Sequence, residues 1–347
     1  MSTSTGAIES TTPSPVTTAN RTELQEEKNP RSPLPVLLVG HGSRDPQGRQ
    51  AILDLAAAYA QFDLSRPVIP CFLELTEPTI ADGVAECDRL GLHEAVALPV
   101  LLFGARHNKF DITNELDALQ RQHPHMTFYY GAPMGISTDL LDLLRQRLAQ
   151  VEAGLPPLPK QDTVLLFVGR GSSDPEANSE AYKLARLLWE GSGYRSVEIC
   201  FVGITHPRLE AGFDRALSFQ PRRILVVPYF LFTGVLVKKI QAATVARDRA
   251  HPDVEMVCLP ELGIAPAVLQ SLYRREREAQ AGEVRMNCHL CKFRIAASEA
   301  LSPGALHHHH NLSSHSHGPH RHDCDGEAVV DPYAAPIHYH QRVWQLP

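Results

Sequence analysis

The chain reads as an α/β protein of two similar lobes, each a mostly parallel sheet flanked by helices, with a ligand site in the cleft between them. Three observations lead there. Apolar runs of strand length alternate with helical patterns from residue 36 to about residue 281, the order that builds a parallel sheet covered on both faces. The stretch VLLVGHGSRDP at 36–46 returns as VLLFVGRGSSDP at 164–175. A proline-rich join, AGLPPLPKQ at 153–161, separates the two copies.

Each element has its own signal. Residues 36–40 form a strand that breaks into a glycine-flanked turn with His41 at its centre, and Asp45-Pro46 open a helix over 47–62. On that helix Ile52, Leu53, Leu55, Ala56 and Tyr59 recur at helical spacing. VIPCFLEL at 68–75 reads as a buried strand; the next helix, 79–90, carries Ile80, Val84 and Cys87 on one side. AVALPVLLF at 95–103 is expected to be a strand buried on both faces. A polar loop at 104–109, a helix at 111–122 and a strand at 127–130 complete the lobe.

A constant shift of 129 residues carries this order into the second half. It pairs Val39, Gly40, Gly42, Ser43, Asp45 and Pro46 with Val168, Gly169, Gly171, Ser172, Asp174 and Pro175, and Lys109 with Lys238. Such a match is an internal duplication. The domains expected are a disordered extension at 1–33, a lobe at 34–152, the linker at 153–161, a lobe at 162–281 and a C-terminal segment at 282–347. Tyr182, Leu184, Leu188 and Trp189 are read as a helix's core face, and Cys71, Cys87, Cys200 and Cys258 as buried thiols. Arg274, Arg275 and Arg277 are read as solvated helix surface.

Composition narrows the class. A formal charge of -6 with no basic run argues against a nucleic-acid partner. No apolar run approaches the roughly 18 residues of a membrane span. Seven scattered cysteines without a regular framework suggest a reducing compartment, with cytosol the expectation. Residues 1–33, rich in Ser, Thr and Pro, lack the apolar core of a secretory signal.

The chemistry-bearing residues sit where strands end. In open parallel sheets the loops at the carboxyl ends of strands share one rim, and ligands collect there. His41 follows the first strand, Glu74 ends the second, and His107 follows the third. Two imidazoles and a carboxylate suit a borderline divalent ion such as Co, Fe, Ni or Zn. The second lobe has Arg170, Gly203 and Leu236 at the shifted positions, so the three ligands are lost together. Against this stand plainer readings: a loop histidine often only hydrogen-bonds, and Glu74 within FLEL could be a buried, paired carboxylate. GHGS could cradle a phosphate at a helix N-terminus, but Asp45 stands where the third glycine of G-x-G-x-x-G belongs.

Beyond the lobes, Cys288 and Cys291 form a C-x-x-C, and eight histidines fall between 307 and 322. The cysteines read as unrelated thiols, a zinc pair or a redox pair, and the histidines as a solvated spacer or a weak multisite metal binder.

With VGHGSRDP at 39–46, FLELTEPTI at 72–80, LPVLLFGARHNKFDI at 98–112 and the terminal MNCHLC assembled, the chain resembles the long-form CbiX-type sirohydrochlorin chelatases, class II tetrapyrrole chelatases. The resemblance implies insertion of Co2+, or Fe2+ in the sibling activity, into sirohydrochlorin with loss of two protons, on the route to cobalamin or sirohaem. It makes His41 and His107 the metal ligands, with His41 as proton acceptor near neutral pKa and Glu74 beside them. Ser43, Arg44 and the loop Leu102, Phe103, Gly104, Ala105 and Arg106 become the macrocycle contacts. An iron-sulfur cluster at Cys288 and Cys291 is also implied, without its remaining ligands; two cysteines cannot complete it, so it needs Cys324, a second subunit in a homodimer or another ligand type. Arg44, Arg106, Lys109, Arg170, Lys238 and Lys239 would hold the substrate's carboxylates. Readings of other classes are a metal-sequestering or metal-delivery protein that works through its tail, and an iron-sulfur redox protein.

Overall fold

Strand β1 (Val36–Gly40) is buried at every position because its two faces serve two different cores. A computed structural model describes residues 34–285 of the chain. In it β1 is followed by α1 (Pro46–Ala60), β2 (Val68–Phe72), α2 (Ile80–Arg89), β3 (Glu94–Pro99), α3 (Ile112–Gln122), β4 (Thr127–Tyr130) and α4 (Thr138–Ala153). A short π-helical turn, His107–Asp111, leads directly into α3. The second half repeats the series as β5 (Thr163–Gly169), α5 (Pro175–Trp189), β6 (Ser196–Phe201), α6 (Leu209–Ser218), β7 (Arg223–Pro228), α7 (Val235–Ala250), β8 (Glu255–Cys258) and α8 (Pro266–Ala281). All pairings are parallel, in the orders β2-β1-β3-β4 and β6-β5-β7-β8.

The alternation of side chains along each strand divides the interior into three cores. Leu37, Val39, Ala95 and Ala97 face outward to α2 and α3. Val164, Leu166 and Val168 do the same toward α6 and α7. The opposite faces, Val36, Leu38, Val96 and Leu98 in one sheet and Leu165, Phe167, Leu225 and Val227 in the other, join a single core with α1, α4, α5 and α8. The two sheets therefore share one apolar interior.

The last helix of each lobe crosses to the other. Helix α8 packs on β3, β4 and α1 of the first sheet, and α4 packs on α5 of the second. The crossing is pinned by polar contacts. Glu276 on α8 is 1% exposed and accepts hydrogen bonds from Tyr59 and from Arg66, the latter at 2.6 Å. Burial raises the Glu276 pKa, and the bonds from Tyr59 and Arg66 oppose that shift. Arg147 on α4 reaches the Leu262 carbonyl at 3.3 Å.

This arrangement corrects two readings of the sequence. Arg275 is half-buried and donates to the Met134 carbonyl at 3.0 Å, so it is not solvated surface, whereas Arg274 and Arg277 are exposed as read, Arg274 in a surface pair with Asp139 at 2.7 Å. Tyr182 is exposed, because it lies on the side of α5 away from Ala181, Leu184 and Leu188.

Candidate metal centre in the cleft

The turn after β1 is built to bring a second backbone close. Gly42 has φ +99°, and a Cβ there would stand 1.7 Å from the Glu74 carbonyl oxygen. Only glycine fits both conditions. Leu73 N–H then donates to the Gly40 carbonyl at 2.9 Å and Glu74 N–H to the His41 carbonyl at 3.1 Å. These bonds carry the pairing past the end of β2 at Phe72, so Glu74 lies on an irregular extension, and Leu75 follows with φ 68°. Gly171 makes the same approach in the second lobe, 2.0 Å from the Gly203 oxygen by the same construction.

The turn also starts the helix. Ser43 Oγ accepts from Asp45 N–H at 3.0 Å, and Asp45 caps α1 by accepting from Gln47 N–H at 3.0 Å. Ser172, Asp174 and Glu176 repeat both bonds. Ser43 thus has a turn-forming bond, while Arg44 is exposed beside it.

His41, Glu74 and His107 come together. Nε2 of His41 lies 3.1 Å from Nε2 of His107 and 3.5 Å from Oε1 of Glu74. Ligands around a tetrahedral ion with bonds near 2.0–2.1 Å stand about 3.3 Å apart, so these spacings are those of a metal ligand set. The imidazoles meet edge to face at 83° with centroids 4.5 Å apart. Glu74 is 48% exposed at its side chain, which rules out the buried, paired carboxylate considered from FLEL.

His107 differs from expectation in its support. It begins the π-helical turn instead of lying in a loop, and its Nδ1 is 2.9 Å from Oδ2 of Asp111, one turn on. An Nδ1–H donated to that carboxylate leaves the Nε2 lone pair aimed at His41. Arg106 holds the other oxygen of Asp111 at 3.2 Å. Asp111 was not singled out by the sequence; the i, i+4 spacing in HNKFD was its only signal.

His41 is a neutral imidazole. Burial, then the charge of Arg170, then His107 pull its pKa down to about 4, away from the near-neutral value expected. That favours a standing metal ligand and leaves the half-exposed Glu74 as the better route for protons to water. Partial desolvation lowers the Arg170 guanidinium from its ordinary pKa and Glu74 opposes the shift, while the residue keeps contact with solvent. Arg170 stays charged.

The cleft itself is a cavity of about 310 Å³. Leu102, Phe103, Ala105, Arg106 and His107 line one wall, and Arg170, Ser172, Asn178, Tyr229 and Leu231 line the other. The segment after Pro99 leaves the sheet earlier than AVALPVLLF suggested, and this frees Leu102 and Phe103 to line the cleft. Gly104 is buried beneath the loop, near Pro133 and Asn108, and does not face the cavity. Two expected substrate cations are committed elsewhere. Lys109 bridges to Asp174 at 2.9 Å and Glu176 at 2.5 Å, and Lys238 to Asp45 at 3.0 Å and Gln47 at 2.9 Å. Each lysine ties its own lobe to the helix cap of the other.

Paired parallel lobes with two imidazoles and a carboxylate on one side of the cleft define a protein that handles a divalent transition metal. A family model described as CbiX matches residues 35–151 and again 164–279, and the chain belongs to that family. The sirohydrochlorin cobaltochelatase of Priestia megaterium is 37% identical over 266 residues, 77% of this chain and 86% of the relative. The sirohydrochlorin ferrochelatase of Bacillus subtilis is 30% identical over 250 residues, 71% of this chain and 92% of the relative. SirB from Bacillus subtilis with Fe3+ superposes with a TM-score of 0.62 at 28% identity, covering 72% of this chain and 96% of that one. Cys288, Cys291 and the histidine-rich segment lie outside the described residues.

Proposed function

We propose that the chain is a sirohydrochlorin cobaltochelatase of the cytosol, a lyase-type enzyme that exchanges two pyrrolic protons of its substrate for Co2+. The observation that carries this reading is the convergence of His41, Glu74 and His107 at 3.1 and 3.5 Å in one lobe of the cleft, in a chain 37% identical to a cobaltochelatase.

The residues divide the work. His107, oriented by Asp111, and the neutral His41 hold the partly dehydrated ion through their Nε2 atoms. A macrocycle over that ion meets Leu102 and Phe103 on its faces, while Arg106 and Arg170 at the walls and Arg44 at the adjoining turn are placed for its carboxylates. Glu74, within 3.5 Å of His41 and open to water, accepts the protons that leave the ring and passes them to solvent. Metal delivery and proton removal then share one face, so the ring nitrogens lose protons beside the ion that replaces them.

Iron insertion uses the same ligands, and the 30% identity to a ferrochelatase supports it as the second reading. Ligand softness does not separate two neighbours of the divalent series. The test is metal insertion into sirohydrochlorin by the purified full chain, with Co2+ and Fe2+ run side by side under anaerobic conditions. The proposal expects insertion with both ions and the higher kcat/KM with Co2+. Insertion of neither ion would overturn it, and a clear preference for Fe2+ would replace it with the ferrochelatase reading.

A further inference from the structure

The first lobe carries a second cluster of metal-binding side chains, at the opposite end of its sheet from the cleft. Asp88 lies in the last turn of α2, His123 caps the C-terminus of α3, and His125 follows in the short connection to β4. All three stand near the amino ends of β3 and β4, whereas His41, Glu74 and His107 lie beyond the carboxyl ends of their strands.

The cluster brings three potential ligands together, two of them joined by a hydrogen bond. One carboxylate faces two imidazoles with different oxygens: Oδ1 of Asp88 is 2.7 Å from Nε2 of His125, and Oδ2 is 3.5 Å from Nδ1 of His123. The candidate ligand atoms all lie within 4.8 Å of one another. Two imidazoles and a carboxylate match in kind the donors of the cleft site, a set suited to borderline divalent ions. Asp88 and His125 are exposed and His123 is half-buried, so the cluster is open to solvent. The connection is held by its backbone, with Met126 N–H on the His123 carbonyl at 3.0 Å and Thr127 N–H on the His93 carbonyl at 2.8 Å. The His93 ring stands edge to face against His125, with centroids 5.5 Å apart.

The duplicated lobe shows which part belongs to the fold. His251 caps α7 as His123 caps α3, with nearly the same backbone angles, φ -129° and ψ 71° against φ -119° and ψ 70°. Asp253 stands in place of His125, and Leu217 in place of Asp88. A histidine at the cap is therefore common to both lobes, while the partners that make it a chelating cluster occur in the first alone.

We propose that Asp88, His123 and His125 form a second divalent transition-metal site, clipping the end of α2 to the α3–β4 connection. An ion there replaces the proton that otherwise joins His125 to Asp88, through the Nδ1–H tautomer of His125 or by releasing that proton to water.

The test is residue-resolved footprinting of the full chain with diethyl pyrocarbonate, read by peptide mass spectrometry during a titration with Zn2+ or Co2+ alone. Modification of His123 and His125 should fall at least about fivefold as metal saturates, while His251, on the equivalent backbone, stays as reactive as before. The Asp88→Asn variant, changed at an exposed position, should raise the half-protecting metal concentration by about tenfold or more. Protection of His123 and His125 no greater than that of His251 would overturn the site. Protection that is unchanged in Asp88→Asn would overturn it equally, because the carboxylate would then have no part in binding.

Discussion

At the end of β1 the chain places His41, and at the end of β5, on the same glycine-flanked turn, it places Arg170. Everything that shapes the two turns is shared. Both have a glycine pressed against the carbonyl two residues past the neighbouring strand, a serine accepting from the helix-capping aspartate's N–H, and proline at the first helical position. What differs is the chemistry carried at matching positions. His41, Glu74 and His107 stand where the second lobe has Arg170, Gly203 and Leu236, so one lobe brings three potential metal ligands together and the other has a cation, a glycine and an apolar side chain packed on that lobe's own outer core. The shared backbone is a mounting for different side chains, and on the proposed function the reaction depends on the three carried by the first copy.

The largest expected effect breaks that comparison at its ligands. His41→Ala and His107→Ala each remove a metal ligand and should lower the rate of metal insertion by about 100-fold or more, beyond the cost of losing an outer-shell partner, read as turnover under saturating metal. Both variants keep the surrounding turns, which are held by backbone bonds and by Ser43 and Asp45. Asp111→Asn should cost less, about 10–100-fold in metal affinity, because it leaves the ligands in place and removes the carboxylate that fixes His107. Titration of metal at constant sirohydrochlorin separates the two cases: the first lowers kcat, the second raises the metal's KM.

Stability sharpens the same comparison at the lobe interface. Glu276→Ala removes one partner of a buried pair and leaves Arg66 uncompensated, at a cost of about 3–5 kcal/mol in urea unfolding. The two lysine ties, related by the duplication, should differ. Lys109 is 11% exposed at its side chain and pairs with an Asp174 that is 1% exposed, whereas Lys238 is 52% exposed. Lys109→Met should therefore cost about 3 kcal/mol through the stranded Asp174, and Lys238→Met about 0–1 kcal/mol. Equal losses would show that the two ties carry the same load.

Much of this was legible in the sequence, for identifiable reasons. The shift of 129 residues announced two lobes, and the apolar runs placed His41, Glu74 and His107 near three strand ends. Because strand carboxyl ends share a rim, one-dimensional placement sufficed to bring the three together. The exchange of α4 and α8 was not legible, since amphipathic periodicity says that a helix has a buried face and not which sheet it covers. Lys109 and Lys238 were misread as substrate cations because a sequence displays a charge without its partner, and the partners, Asp174 and Asp45, lie in the opposite lobe. The low pKa of His41 comes from burial and from Arg170, neither of which a motif displays.

The central claim is that one lobe performs the reaction and the other supports it. Cobalt insertion into sirohydrochlorin, measured side by side for the unchanged chain, His41→Ala and Leu236→Ala, tests it most directly. His41→Ala should show near-complete loss and Leu236→Ala a rate within about twofold of the unchanged chain, because the Leu236 side chain packs against the outer core of the second lobe. Comparable loss in both variants would contradict it.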